Sequence, residues 1–418
     1  NEQDSRFYGK FAMIPILEPS NQQECYDMAF WGFELSEKYN IPVLLRLTTR
    51  LSHSRSGVKR RNPLPQNSLN KPDDLFQFML LPAIARKKYK HLIGLQEKFV
   101  EESVNSPYNI FDLDAKDTSL GIIATGLAYN YLKEVYGNQP IPHPVIKIGQ
   151  YPLPREQITQ LYDMCDSILV LEEGMPLVEE LIIGLKHKGA KPVKGRLDGT
   201  IDRDGELNPN KVARALGMKD TFGKAMPEVV APRPPALCMG CPHTDSFKAL
   251  TEAMEPYGRG HVFGDIGCYT LGFMPPHNAI NACVDMGASI TMAKGAADAG
   301  LFPSIAVIGD STFNHSGMTG LADCVYENTN IVIVILDNRT TGMTGGQDYT
   351  VFGKLEEICK GLGVHPDHIR TFVPLPKNYD EMVKIYKEEI AYEGVSVIIP
   401  VRECIQTLKK KNKKEAAK

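Results

Sequence analysis

Two stretches decide the fold: Ser304-Ile305-Ala306-Val307-Ile308-Gly309-Asp310-Ser311 and Ile331-Val332-Ile333-Val334-Ile335-Leu336-Asp337-Asn338. Each is an unbroken apolar, β-branched run stopping at a polar turn, the pattern of a strand buried on both faces. Residues 317–327 between them have helical spacing, so the segment reads as strand–loop–helix–strand. Strands joined this way are parallel, and ligands of open parallel sheets bind beyond the strands' carboxyl ends. Asp310 and Asn338, 28 residues apart, are therefore expected to face each other across one crevice. A carboxylate, an amide oxygen and a backbone carbonyl are hard donors that suit Mg²⁺ sharing its octahedron with phosphate oxygens and water. Gly309 permits close backbone approach. A bare Gly-Asp-Ser is common; its pairing with a strand-terminal Asn after a helix makes the signal specific.

Outward from this core the same alternation continues, predicting an α/β, multi-domain protein with parallel sheets flanked by helices. The chain has 418 residues, 47 Lys+Arg against 50 Asp+Glu, and 43% hydrophobic residues. That composition is globular, with material for two or three domains, and excludes disorder as the main state. A net charge of -3 gives no reason to expect nucleic acid. No apolar run approaches the roughly 18–20 residues that span a bilayer, so no membrane association is expected, and without a signal peptide ahead of the first domain a cytoplasmic location is. Residues 11–57 read as one βαβ unit: a strand in 11–17, a helix in 22–38 and a strand in 41–47. Residues 58–115 read as a connecting segment with a helix near 75–100. The basic cluster Arg50, Arg55, Lys59, Arg60 and Arg61 is either a solvated face or a surface for an anion such as a coenzyme A phosphate. Strands are expected at 119–125, 145–148 and 167–171, with a helix at 127–136 after Gly126. Residues 201–236, rich in Gly, Pro and charge, read as a linker, and the lysine-rich 406–418 as a mobile basic tail. The opening Asn1-Glu2-Gln3-Asp4-Ser5-Arg6 looks like loop interior, as if the chain were part of a longer polypeptide.

Nine cysteines at this density are not a disulfide scaffold. Cys25, Cys165, Cys283, Cys324 and Cys359 sit among apolar or helical residues and read as small buried hydrophobes. Cys238-Met239-Gly240-Cys241, bracketed by Pro235 and Pro242, differs. With Cys268 and Cys404 it can form a four-thiolate site for zinc or an iron–sulfur cluster, or act as a redox dithiol; spacing does not choose.

Gly309-Asp310-Ser311 through Asn338 resembles the thiamine diphosphate motif. Thr344-Gly345-Gly346-Gln347, Cys238-x-Gly-Cys241-Pro-His243 and Phe263-Gly-Asp-Ile-Gly-Cys268 are similar to motifs of 2-oxoacid:ferredoxin oxidoreductases. So are the opening six residues and Thr49-Arg50-x-Ser-His53-Ser-Arg55. From residue 1 to about 405 the chain resembles the large-subunit family of indolepyruvate ferredoxin oxidoreductases.

The resemblance implies thiamine diphosphate with Mg²⁺ on Asp310, Asn338 and the main chain of Thr340. It implies a [4Fe–4S] cluster on Cys238, Cys241, Cys268 and Cys404. Gly267, Tyr269, Gly287, Gly309 and Ser311 would line the cofactor pocket, His243 would lie near the thiazolium as the catalytic residue, and the helix opening at Gly287 would meet the diphosphate with its amino end. The implied reaction is oxidative decarboxylation of an aryl 2-oxoacid with coenzyme A, giving an aryl-acetyl-CoA and CO₂. The cofactor serves as electron sink and electrons pass through iron–sulfur clusters to ferredoxin. The implied partner is a smaller subunit. In domain terms, 1–57 corresponds to the last part of a pyrimidine-binding domain and 116–200 to a transketolase C-terminal-like domain. After the 201–236 linker, 237–405 corresponds to the diphosphate and Mg²⁺ domain, followed by the 406–418 tail. The family's aminopyrimidine-activating glutamate and its domain with two [4Fe–4S] clusters are expected on a missing segment or other chains. Two other readings compete: a non-oxidative thiamine-dependent 2-oxoacid decarboxylase, and a non-catalytic scaffold subunit holding structural zinc.

Overall fold

The computed structural model describes residues 3–68, 73–74, 78–79, 81–184, 190–220, 222–223, 226–231 and 233–416, the last three by backbone alone. The chain divides into two compact units, Asn1–Met226 and Pro227–Lys418.

In the first unit, β1 (Ile16–Leu17) and β2 (Leu44–Leu45) flank the helix Gln22–Tyr39 and pair in parallel. The two strands are shorter than the apolar runs that announced them, and the start of the first run belongs to a helix, Arg6–Ala12. β3 (Ile110–Asp112), β4 (Gly121–Thr125), β5 (Val145–Ile148), β6 (Gln150–Tyr151), β7 (Ile168–Leu171) and β8 (Val193–Lys194) follow. Five of them form a sheet in the order β3-β5-β4-β7-β8, parallel apart from the β3 edge. β1 also pairs antiparallel with β6, one residue beyond β5, so the βαβ unit is hydrogen-bonded into the same body as 116–200. Helices Pro82–Gly94 and Gln96–Val104 occupy the connecting segment; residues 75–77 and 80 of the expected helix lie outside the described residues. Part of the expected linker is core: Ile201, Leu207, Val212 and Ala213 are buried against the helix Leu127–Tyr136, and Pro232 lies outside the described residues. The Cys assignments hold for Cys165, Cys324 and Cys359, which are buried. Cys283 is exposed, on a two-residue strand, Ala282–Cys283, at the edge of its sheet.

The second unit contains β9 (Val262–Gly264), β10 (Ala282–Cys283), β11 (Ile305–Gly309), β12 (Ile331–Leu336), β13 (Ile369–Phe372) and β14 (Val395–Pro400). They form one all-parallel sheet, β10-β9-β11-β12-β14-β13. Every residue of β11 and β12 is buried, and alternate side chains serve opposite faces. Ile305, Val307, Val332, Val334 and Leu336 pack on helices Pro242–Met254 and Tyr379–Ile390. Ala306, Ile308, Ile331, Ile333 and Ile335 pack on helices Ala288–Asp298, Met318–Glu327 and Leu355–Gly361. The tail is a helix, Ile405–Ala416, up to the last described residue. No described helix is long and apolar enough to cross a membrane.

The opening residues carry a feature that local reading misses. Asp4 and Arg6 are buried, and Arg6 bonds Asp4 at 2.6 Å and Glu172 at 3.0 Å. Arg46 pairs with Glu18 and reaches Asp4 at 3.5 Å, and the Tyr151 hydroxyl donates to Glu18 at 2.7 Å. Burial pushes the Glu172 carboxyl up, and its contact with Arg6 and two backbone N–H groups opposes that. Removing one member of such a network strands the others without compensation. Arg6→Ala is expected to destabilise the first unit by about 3–5 kcal/mol, read by denaturant unfolding. Arg6→Met, which restores volume but not charge, is expected to leave most of that loss.

Candidate active site

β11 ends with Gly309 opposite Leu336 of β12. Asp310 and the pair Asp337-Asn338 therefore leave the sheet side by side at its carboxyl edge. Asp310 Oδ2 and Asn338 Oδ1 both accept from the backbone N–H of Thr340, at 3.3 and 3.1 Å. The two oxygens thus converge on a single hydrogen. Asp310 and Asn338 are only 2% and 6% exposed. Burial first, and then the facing carboxylate of Asp337, push the Asp310 carboxyl well above the usual carboxylate range. The Tyr349 hydroxyl donates to Asp337 Oδ1 at 3.2 Å. From sequence Asp337 reads only as part of the polar turn that ends its strand, not as a site residue, and Tyr349 is not read at all. Two carboxylates and an amide oxygen in a buried corner are the donor chemistry of a hard divalent cation, whose charge would relieve the repulsion that raises Asp310.

The loop after Asn338 holds Thr340 in place. Thr340 Oγ1 and the Thr341 N–H both donate to the Gln347 carbonyl, at 3.1 and 2.9 Å. Gln347 closes its own turn by donating to the Thr344 carbonyl at 2.8 Å. The Thr-Gly-Gly-Gln segment thus folds back on the residue whose N–H joins Asp310 to Asn338.

The other expected pocket residues take more varied positions. His243 opens the helix Pro242–Met254 and is 2% exposed. Burial pushes its imidazole down to about 4, so it is neutral at physiological pH. Its Nε2 faces Asn338 Nδ2 at 3.2 Å, and its ring meets Tyr269 edge-on at 6.3 Å. Tyr269 donates to the buried carboxylate of Asp265, and its ring lies on Gly309, where a Cβ would come within 2.6 Å of Tyr269 Cε1. The close approach that Gly309 permits is therefore occupied by an aromatic ring of this chain. Gly267 donates to Thr270 Oγ1 at 3.0 Å inside the turn Cys268–Phe273, and the Ser311 N–H is held by Asp310 Oδ1 at 2.7 Å.

Gly287 has φ +94°, open to glycine at little cost, and its N–H donates to Asp265 Oδ2 at 3.1 Å. Ser289 adds its N–H at 3.3 Å and its hydroxyl at 2.6 Å to the same oxygen. The amino end of the helix Ala288–Asp298 is therefore met by an internal carboxylate, the charge its dipole favours. Asp265, 22 residues upstream of Gly287, was not a sequence candidate.

The four candidate cysteines come from three segments and share one neighbourhood. Cys241 donates its N–H to the Cys238 carbonyl at 2.9 Å, and Cys404 donates its N–H to the Asn338 carbonyl at 3.0 Å. Burial pushes the Cys241 thiol up to about 11, and the nearby Cys238, Cys268 and Cys404 add to the rise. Cys268 is raised for the same reasons, with Cys404, Cys238 and Asp310 beside it. Among the described residues no three His, Cys, Asp or Glu side chains converge as a ready-made single-ion site. Two members of the basic cluster have acidic partners: Arg50 is bound bidentate by Glu206 at 2.7 Å, and Arg61 pairs with Glu34 at 3.7 Å while lying over Phe30.

Residues 265–399 match the thiamine pyrophosphate enzyme C-terminal TPP binding domain, which contains Asp310, Asn338 and Thr340. Over 97% of its length the chain is 36% identical to indolepyruvate oxidoreductase subunit IorA of Archaeoglobus fulgidus, covering 68% of that protein. It is also 36% identical to the subunit of that name from Pyrococcus abyssi, with the same coverage of each chain. Among solved structures, 2-oxoglutarate:ferredoxin oxidoreductase from Magnetococcus marinus aligns with 42% of this chain and 66% of that one, at 17% identity and a TM-score of 0.35. The strand-end Asp and Asn lie inside a thiamine diphosphate-binding domain, and the similarity extends through both units, so the chain belongs to the indolepyruvate oxidoreductase subunit IorA family.

Proposed function

We propose that this chain is the cofactor-bearing large subunit of an enzyme that oxidatively decarboxylates an aryl 2-oxoacid of the indolepyruvate type. Coenzyme A would receive the acyl group, ferredoxin the electrons, and a smaller subunit would complete the assembly. The observation that carries the reading is the convergence of Asp310 Oδ2 and Asn338 Oδ1 on the Thr340 N–H. Those two oxygens, with the Thr340 carbonyl, would hold Mg²⁺ on the diphosphate. When bound, thiamine diphosphate supplies the electron sink for loss of CO₂. This chain's residues contribute position and charge: Asp310 offsets the cation, and the buried corner keeps water from competing for it.

Cys238, Cys241, Cys268 and Cys404 would hold a [4Fe–4S] cluster. Supporting this, the Cys241 and Cys268 thiols both lie near Cys238 and Cys404, and among the described residues no three such side chains close on a common point. A cluster takes one thiolate per iron at spread positions, whereas zinc needs all four around one ion. Cys404 is bonded through its N–H to Asn338, so such an acceptor would sit next to the diphosphate loop. A cytoplasmic location accords with the free thiols.

Two measurements check this. Protein purified without oxygen is expected to carry about four iron and four sulfide per chain at this site. Cys268→Ser is expected to lose them while thiamine diphosphate binding survives; stoichiometric zinc instead would contradict the cluster. Asp310→Ala is expected to weaken Mg²⁺-dependent thiamine diphosphate binding by roughly a hundredfold, from loss of one charge-assisted contact and its ion, read by calorimetric titration. Indolepyruvate-dependent reduction of a viologen dye, requiring coenzyme A, is expected only when both groups are present.

A further inference from the structure

His243 is positioned to do something other than react with substrate. An Asn side chain is nearly symmetrical in shape, and its two ends differ only in donating or accepting. At Asn338 the distinction is decisive, because a cation can take Oδ1 and is repelled by the amide NH₂. Two neighbours read the ends apart. The Thr340 N–H at 3.1 Å requires an acceptor, so Oδ1 points there. That leaves Nδ2 facing His243 Nε2 at 3.2 Å, which is favourable only if Nε2 carries a lone pair and the imidazole proton sits on Nδ1. Turning the amide over would set a lone pair against a lone pair at His243 and an NH₂ against the Thr340 N–H.

The imidazole is itself held rigidly. His243 stands in the first turn of the helix Pro242–Met254, directly after Cys241-Pro242, at 2% exposure, with Tyr269 edge-on beside it. We propose that His243 is a positioning residue: its Nε2 accepts from Asn338 Nδ2 and fixes the amide with Oδ1 turned to the divalent cation of the thiamine diphosphate site. This rests on the function proposed above. It also makes the short segment from Cys241 to His243 a mechanical link between the thiol neighbourhood and the diphosphate loop.

The test is titration of Mg²⁺ into the full chain at fixed thiamine diphosphate, followed by calorimetry and by the cofactor's circular dichroism, with no turnover required. His243→Leu removes the acceptor and keeps bulk; its Mg²⁺ dissociation constant is expected to rise about 10- to 100-fold, as for other partners of metal ligands. His243→Gln, whose Oε1 can accept the same hydrogen, is expected to stay within about threefold of wild type, a rescue that packing alone would not produce. An unchanged Mg²⁺ constant in His243→Leu, or equal losses in the Leu and Gln variants, overturns the proposal while leaving the cofactor assignment standing. Failure of wild-type protein to bind thiamine diphosphate with Mg²⁺ overturns both.

Discussion

One backbone N–H organises the catalytic end of this protein. Thr340 donates to Asp310 and Asn338 together, and these two residues come from strands that are neighbours in the sheet. The pairing is possible because β11 and β12 run parallel, in a register that ends both at the same edge. Their all-apolar character buries them under helices on both faces and leaves only the strand ends free for polar chemistry. The cost is a carboxylate kept out of water and beside a second one. A divalent cation on a diphosphate is the kind of partner that offsets such a cost.

Around that corner the chain uses internal groups to keep ligand-type residues apart from structural ones. Asp265 takes three donors at the start of the helix Ala288–Asp298 and receives the Tyr269 hydroxyl. Tyr269 then lies on Gly309, just before Asp310. The cysteine segments attach to the same scaffold: Cys404 through the Asn338 carbonyl, Cys241 through His243, and Cys268 as the residue preceding Tyr269. A thiol site and a diphosphate site built on shared residues would suit a chemistry in which electrons leave close to where CO₂ is lost.

The legible parts of the sequence were those whose information is local. The continuous runs of β11 and β12, the helix between them and the polar residues at their ends follow from period and length alone, and the α/β class and the family follow from motifs in order. What escaped depends on partners far along the chain. Arg6 looks like a loop residue until Glu172 and Asp4 surround it. Ile201 and Leu207 look like linker until the helix Leu127–Tyr136 supplies a core. Asp265 looks like one letter of a motif until Gly287 and Ser289, more than twenty residues on, bring their donors to its carboxylate. His243 was legible as a residue of the site but not in its role, because a neutral imidazole beside an amide has no pattern in one dimension.

The most direct measurement is a crystal structure of the protein with thiamine diphosphate and Mg²⁺. The account predicts one ion with oxygen ligands at about 2.0–2.1 Å, drawn from Asp310, Asn338 and the Thr340 carbonyl, with phosphate oxygens and water completing the octahedron. An ion bound without Asp310 or Asn338, or a diphosphate seated away from the ends of β11 and β12, would contradict it.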